Sequence, residues 1–565
     1  MKRLAICGAL AGAMVWVVGA AADETAAVRA AVDCSVEERI AERYGRKGLA
    51  FVDDPKLPAE RYEVRGVGPG RVALAGSTRR ARIYGLGRHL RDAAFRGGSE
   101  PVKRIRGIYL ATHFGNWYVT APEREVCDYV EDLALWGCNQ IRVWFDLHDY
   151  TGVDDPRARP AIDRLRAILR AARSCGIETS LIALSNESFS NSPKGLRADW
   201  RGGKNGYTRD LCGHYHVEIC PSKPGGLELI LKNRAAALGL FKDIGIDEVS
   251  FFSYDQGGCT CADCAPWGCN GMLKVLPGFS DVVRKTMPGC RIEYGTWFFD
   301  TFGPSLGEWS GLKARIGEVR RHADGLAVEN LAQIADGVPG GLLATSMPEI
   351  SMRGMLPWGG FGANPQPRRL AAAFRSRAAA QLAGFRPYSE GIYEDMNKVV
   401  ALVLGWDPAV AVETALGDYA AFYFGGESRG PVTEAALLME QNLDHTAYLV
   451  QDGRRWDTYQ CGRIDAKRPF KIVAEARVDA ERAAKALDLL KPFEAKLGAS
   501  WRWRMLFLRA KIDRGLSLGH AVDGPELKPL FAELARIYRI SDTTEPFLTP
   551  PGPMIDPARF HAGAL

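Results

Sequence analysis

Residues 249–271 read VSFFSYDQGGCTCADCAPWGCNG. An apolar, aromatic run ends in an acid, Asp255, two glycines follow, and Cys259, Cys261, Cys264 and Cys269 then fall within eleven residues. A short apolar run bounded by polar and glycine residues reads as a buried strand handing over to a loop. The same arrangement recurs along the chain. IRGIYLATHF, QIRVWFDLHDY, IETSLIALSNES, IDEVSFFSYDQ, RIEYGTWFFD, GLAVENLAQ, GLLATSMPEIS and GFRPYSEGIYED lie between Ile105 and Asp395. Most intervals carry a helical pattern, as in EREVCDYVEDLALWG, AIDRLRAILRAARSCG, LELILKNRAAALGLFKDIG and RRLAAAFRSRAAAQLAG. Eight strands alternating with helices predict an α/β fold, a (β/α)8 TIM barrel. An open doubly wound sheet could use the same alternation, but no glycine-rich phosphate loop follows the first strand.

Nearly every strand begins apolar and ends polar: His113, Asp146 with His148, Asn186 with Glu187, Asp255, Asp300, Glu349, then Glu390, Glu394 and Asp395. In a parallel barrel those ends share one face, where the loops build the active site. Any one of these groups could be a helix cap or a solvated loop residue; together they predict a mouth rich in carboxylates.

Around the barrel the chain divides into four parts. Residues 1–22 combine a charged start, MKR, with an apolar core and small residues at GAAADE, the pattern of a secretory signal peptide. Residues 24–102 read as a small α+β domain of strands followed by a helix, residues 103–400 as the catalytic barrel, and residues 401–565 as a helical region ending in a proline-rich tail. A chain of 565 residues is long enough for two or three domains. Hydrophobic content of 47% with 25% charged residues describes a well-packed soluble protein. The formal charge is +6, and Lys2 and Arg3 of the leader account for two of the 73 basic residues set against 67 acidic ones. So small a surplus, with no dense basic run, argues against a nucleic-acid partner. No segment after the leader is apolar for long enough to span a bilayer, so the mature protein is expected to be secreted or periplasmic.

Two stretches carry a family resemblance. RVALAGSTRRARIYGLGRHLR (71–91) resembles the accessory domain that precedes the barrel in the β-hexosaminidase and α-glucuronidase groups of glycoside hydrolases. YSEGIYEDMNKVVALVLGWDP (388–408), with DYAAFYFGG (418–426), resembles the barrel-to-helix junction of the α-glucuronidase-like enzymes. The resemblance implies a glycosidase acting on an oligosaccharide or polysaccharide, with no cofactor required for catalysis. Hexosaminidase-type enzymes that use the substrate's acetamido group carry an Asp-Glu pair after the fourth strand. Here the pair reads Asp255-Gln256. A glutamine cannot protonate a leaving group, so that mechanism does not carry over. The α-glucuronidase outline, one acid after the fourth strand and carboxylates late in the barrel, fits Asp255 with Glu349 or with Glu390 and Glu394.

Glycosidic cleavage needs one carboxyl that keeps its proton and one that stays ionised. Asp255, at the end of an apolar strand, is the expected acid, because partial desolvation raises a carboxyl's pKa. Glu390 and Glu394, four apart and on one side if the strand continues, are the expected base or nucleophile, with Glu349 in reserve. Trp267, Trp297 and Trp358 are expected to offer flat faces to sugar rings. His113, Asp146, His148, Asn186 and Glu187 are expected to fix hydroxyl groups. Cys259, Cys261 and Cys264 with one further ligand could hold a structural zinc; twelve cysteines beyond Cys7 could equally form disulfides. Two other classes stay open: a glycan-binding protein on an inactive barrel, and a zinc-dependent hydrolase, for which no HExxH pair is present.

Overall fold

The computed structural model describes residues 33–113, 115–211, 216–255, 257–348, 350, 364–442, 446–451, 454–457, 471–475, 478–520 and 524–539. The proposed leader, Glu349 and Trp358 lie outside the described residues.

Eight parallel strands close into a barrel: Ile105–Leu110, Gln140–Trp144, Glu178–Leu184, Glu248–Phe252, Arg291–Gly295, Gly325–Ala327, Leu343–Ser346 and Gly384–Phe385. Each pairs with the next in sequence order, and Gly384 pairs with Ile105 to close the ring. Six residues of the first strand and five of the second are buried without exception, as expected where helices cover one face and a packed interior the other. The helices Glu123–Leu135, Ala158–Ser174, Gly226–Gly239 and Gly271–Thr286 form the outer layer between the early strands. Their apolar faces lie on the sheet, as at Ile162, Leu165, Ile168 and Leu169.

Before the barrel, a four-stranded sheet takes the order Ala50–Asp53, Arg71–Gly76, Tyr62–Gly68, Gly97–Ser99. Its helix Arg79–Arg91 packs against Glu123–Leu135 of the barrel. A methyl group on Gly87 would stand 1.9 Å from the Leu135 carbonyl, so only glycine allows the two helices to approach so closely.

After the eighth strand, the helix Asp395–Trp406 runs through position 400, so the expected domain boundary there falls inside a helix. Buried Asp395 holds it in place, accepting from Tyr129 Oη (2.8 Å), Tyr419 Oη (2.6 Å) and Arg502 Nε (2.8 Å). The C-terminal region is helical, but a three-stranded antiparallel sheet, Thr446–Gln451, Arg454–Asp457 and Lys471–Glu475, interrupts it.

Candidate active site

The barrel interior is layered. Its floor is ionic: Arg142 Nη2 donates to Glu248 Oε1 and Glu293 Oε2, both at 2.7 Å, while Arg386 donates to the same two carboxylates at 2.6 and 2.7 Å. Two cations and two anions, each with several partners, satisfy one another in a site where a single unpaired charge would cost several kcal/mol. Above this floor lies an apolar layer of Tyr109, Trp144, Ile182, Leu184, Phe252, Ala327 and Tyr388, with Trp297 packed against it. Alternation along a strand then sets the next inward residue. The second strand climbs Arg142, Trp144, Asp146, and the eighth climbs Arg386, Tyr388, Glu390. Both runs deliver a carboxyl to the C-terminal mouth.

Three carboxyls converge there. The charges of Asp146, Asp255 and Glu390 all act on the Tyr109 hydroxyl, and those of Glu390 and Asp255 on that of Tyr388. Tyr388 Oη donates to Glu390 Oε1 at 2.9 Å. Asp146 is 7% exposed, and its Oδ1 makes no hydrogen bond. Burial holds its pKa well above the usual carboxylate range; the negative charges of Glu187, Asp149 and Asp255 act in the same direction, and His148 acts against them. Asp255 takes φ +82°, a left-handed conformation that costs a non-glycine residue of order 1–3 kcal/mol and that tends to collect at functional sites. The turn after it is pinned: Asn186 Nδ2 donates to the Gly258 carbonyl and the Gly258 amide to Asn186 Oδ1, both at 2.8 Å.

Two histidines border the carboxyls in opposite states. His148 Nδ1 lies 2.9 Å from Glu187 Oε1. Burial disfavours its charge, but the Glu187 hydrogen bond and the carboxylates Glu187, Asp146 and Asp149 outweigh that and lift its pKa to about 9. The His113 ring lies 4.4 Å from that of Trp144 in a tilted contact, and burial together with His148 pushes its pKa down to about 3. At neutral pH the mouth therefore holds one imidazolium and one neutral imidazole. The ligand atoms of Asp146, His148 and Glu187 lie within 4.8 Å of one another; a cation could take this trio only by displacing the His148 proton.

Several expected roles change. Trp267 is fully buried, with its indole N–H donating to the Ser253 carbonyl at 2.8 Å, so it anchors a loop and offers no face to a sugar. Asn186 gives its amide group to the Ile219 and Gly258 carbonyls and the Gly258 amide, which makes it a loop tie. Glu187 is fully buried, accepts from the Leu147 amide at 2.9 Å and meets Arg234, so it positions His148 and offers no group to a sugar hydroxyl. Glu394 does not share a strand face with Glu390, because pairing stops at Ser389 and residues 392–394 form a helical turn. Its carboxyl is 1% exposed, and burial holds its pKa far above the ordinary value. Trp297 is half-buried and packs against the apolar layer. None of the ten described cysteines is in a disulfide.

No known family profile matches the chain, and no curated protein matches it. Solved structures do. A family 89 glycoside hydrolase from Clostridium perfringens, in complex with its substrate GlcNAc-α-1,4-galactose, superposes with a TM-score of 0.56 at 12% identity over 89% of this chain and 64% of the other. A family 138 glycoside hydrolase targeting pectin rhamnogalacturonan II gives 0.53 at 12% identity, over 91% and 72%. The chain shares the glycoside hydrolase barrel fold. It spans just under two thirds of the length of the family 89 structures it matches.

Residues that sequence reading passed over complete the site. Tyr109, Trp144 and Tyr388 line the mouth layer, and the inward alternation from Arg142 and Arg386 was the signal that could have found the last two. Glu218 is buried near His148, and burial lifts its pKa to about 7. Lys398 Nζ, wholly buried, donates to Tyr118 Oη (2.6 Å), Ser389 Oγ (2.9 Å) and the Gly391 carbonyl (2.7 Å), holding the residues on both sides of Glu390.

Proposed function

We propose that this protein is an exported glycosidase that cleaves an oligosaccharide or glycan at the barrel mouth with a pair of carboxyls, Asp255 and Glu390. The observation that carries the reading is the convergence of Asp146, Asp255 and Glu390 on the Tyr109–Tyr388 pair, above a closed ionic floor and beside Trp297. Asp255 gives its proton to the glycosidic oxygen as the bond to the anomeric carbon breaks. Glu390, which accepts a hydrogen bond from the Tyr388 hydroxyl, takes a proton from the attacking water or itself attacks that carbon. Trp297 stacks on the sugar ring, and His148 as a cation hydrogen-bonds hydroxyl groups. No cofactor takes part in these steps. Export rests on the leader pattern of residues 1–22.

One observation favours a different acid. Asp146 is buried, has an unbonded Oδ1 and is pushed to hold its proton, the tuning a general acid needs. Turnover of a glycan panel that includes α-linked GlcNAc disaccharides and rhamnogalacturonan II fragments tests both readings. The wild type is expected to release sugar. Asp255→Asn should lose 10²–10⁴-fold in kcat, about the size of a general-acid contribution, while still binding substrate. Loss of that size in Asp146→Asn alone would transfer the acid role to Asp146. Retained binding without turnover by the wild type would instead identify a glycan-binding protein on an inactive barrel.

A further inference from the structure

The sulfurs of Cys220, Cys259, Cys261 and Cys264 lie within 4.8 Å of one another. Cys220 Sγ is 3.8 Å from Cys261 Sγ and 3.8 Å from Cys264 Sγ. A disulfide would bring two of them to about 2.05 Å. Four thiolates held at about 2.3 Å by a tetrahedral zinc ion stand about 3.8 Å apart along each edge. The two Cys220 separations match that edge.

The surroundings suit a closed site. Cys220, Cys259 and Cys264 are at most 2% exposed, and only Cys261 reaches toward solvent, which leaves no open position of the kind catalytic zinc keeps. Zinc with four thiolates carries two net negative charges, which outer groups must offset. Ser222 Oγ lies 3.3 Å from Cys264 Sγ and accepts from the ammonium of Lys274 at 3.0 Å, which brings a positive charge up to the cluster. Cys269, the last cysteine of the run, takes no part: its sulfur packs against Gly311.

We propose that Cys220, Cys259, Cys261 and Cys264 bind one zinc ion in a structural site, releasing the four thiol protons as it forms. Cys220 comes from the loop after the third strand, and the other three from the loop after the fourth, which carries Asp255. The ion clamps these loops together at the point where Asn186 also joins Ile219 to Gly258. It therefore fixes the turn that aims Asp255.

Metal analysis of the purified full chain is expected to give one zinc per molecule. Exchange with Co²⁺ alone should give thiolate-to-metal charge transfer and the intense visible bands of a tetrahedral tetrathiolate. Cys220→Ser should lower the zinc content, and Cys269→Ser should leave it at one. If Cys220→Ser does not fold, the cobalt spectrum of the wild type still decides. A natively folded wild type that holds no metal would overturn the proposal, whether its four thiols alkylate freely or pair as disulfides; so would a cobalt spectrum without thiolate bands. None of these readouts uses turnover, so the zinc site stands or falls apart from the glycosidase reading.

Discussion

His148 and Glu187 form a buried ion pair, Nδ1 to Oε1 at 2.9 Å, in which the carboxylate also accepts the Leu147 amide. The pair ties the ends of the second and third strands together and sets the charge of the mouth. Because the folded pKa of His148 is raised from 6.5 to about 9, its contribution is complete below pH 6.5 and is lost as pH rises through 9. Glu187→Gln should abolish that slope. It should also destabilise the fold by about 3 kcal/mol or more at neutral pH, since Arg234 and His148 both lose their carboxylate. Chemical denaturation of both proteins across pH 6–10 checks this.

The hydrogen bond from Tyr388 stabilises the ionised form of Glu390. Tyr388→Phe removes a hydrogen bond to a charged group and should therefore move the acid limb of the kcat/KM profile to higher pH, with the plateau less affected. An unmoved limb would remove Glu390 from the base role.

Two tryptophans separate binding from folding. Trp297→Ala should raise KM about 10-fold and leave the melting temperature nearly unchanged, because its ring is half-buried at the mouth. Trp267→Ala removes a fully buried side chain and should cost about 3–5 kcal/mol of stability. Calorimetry and substrate titration on the two variants read the contrast.

Lys398 supports Glu390 from beneath. Burial lowers its pKa to about 8 from 10.5, so the folded protein gains stability as pH rises from about 8 toward 10.5. Lys398→Met should lose that gain. The variant should also lower kcat/KM by freeing the Ser389 hydroxyl and the Gly391 carbonyl beside Glu390. Difference stability curves against pH, taken beside activity, test both effects.

The barrel was legible because its signals are local. A buried strand such as Glu178–Leu184 carries a continuous apolar run from Leu181 to Leu184 and a covering helix such as Ala158–Ser174 has a 3.6-residue stripe; both patterns can be read within one window of sequence. Asp146, Asp255 and Glu390 were legible as strand-end acids for the same reason. Roles that depend on what a side chain meets were not. Trp267 and Trp297 sit in similar aromatic loops, yet one is sealed under Tyr207 and Ser253 while the other stays at the mouth. Asn186 and Glu187 end a strand as a ligand-binding pair would, but their partners at Gly258, Ile219 and Arg234 come from other loops and helices.

Sequence alone determined the order of strands and helices, the face on which the acids gather and the density of cysteines after the fourth strand, because each is set by neighbours a few residues apart. Tertiary structure decided which of those groups meet. Closing the ring between Ile105 and Gly384 brings Glu390 to the mouth that Asp146 and Asp255 also face, and the packing of two adjacent loops brings Cys220 to the CxCxxC run 39 residues later. Such convergence depends on how far each strand twists and where each loop lands, which no window of sequence contains.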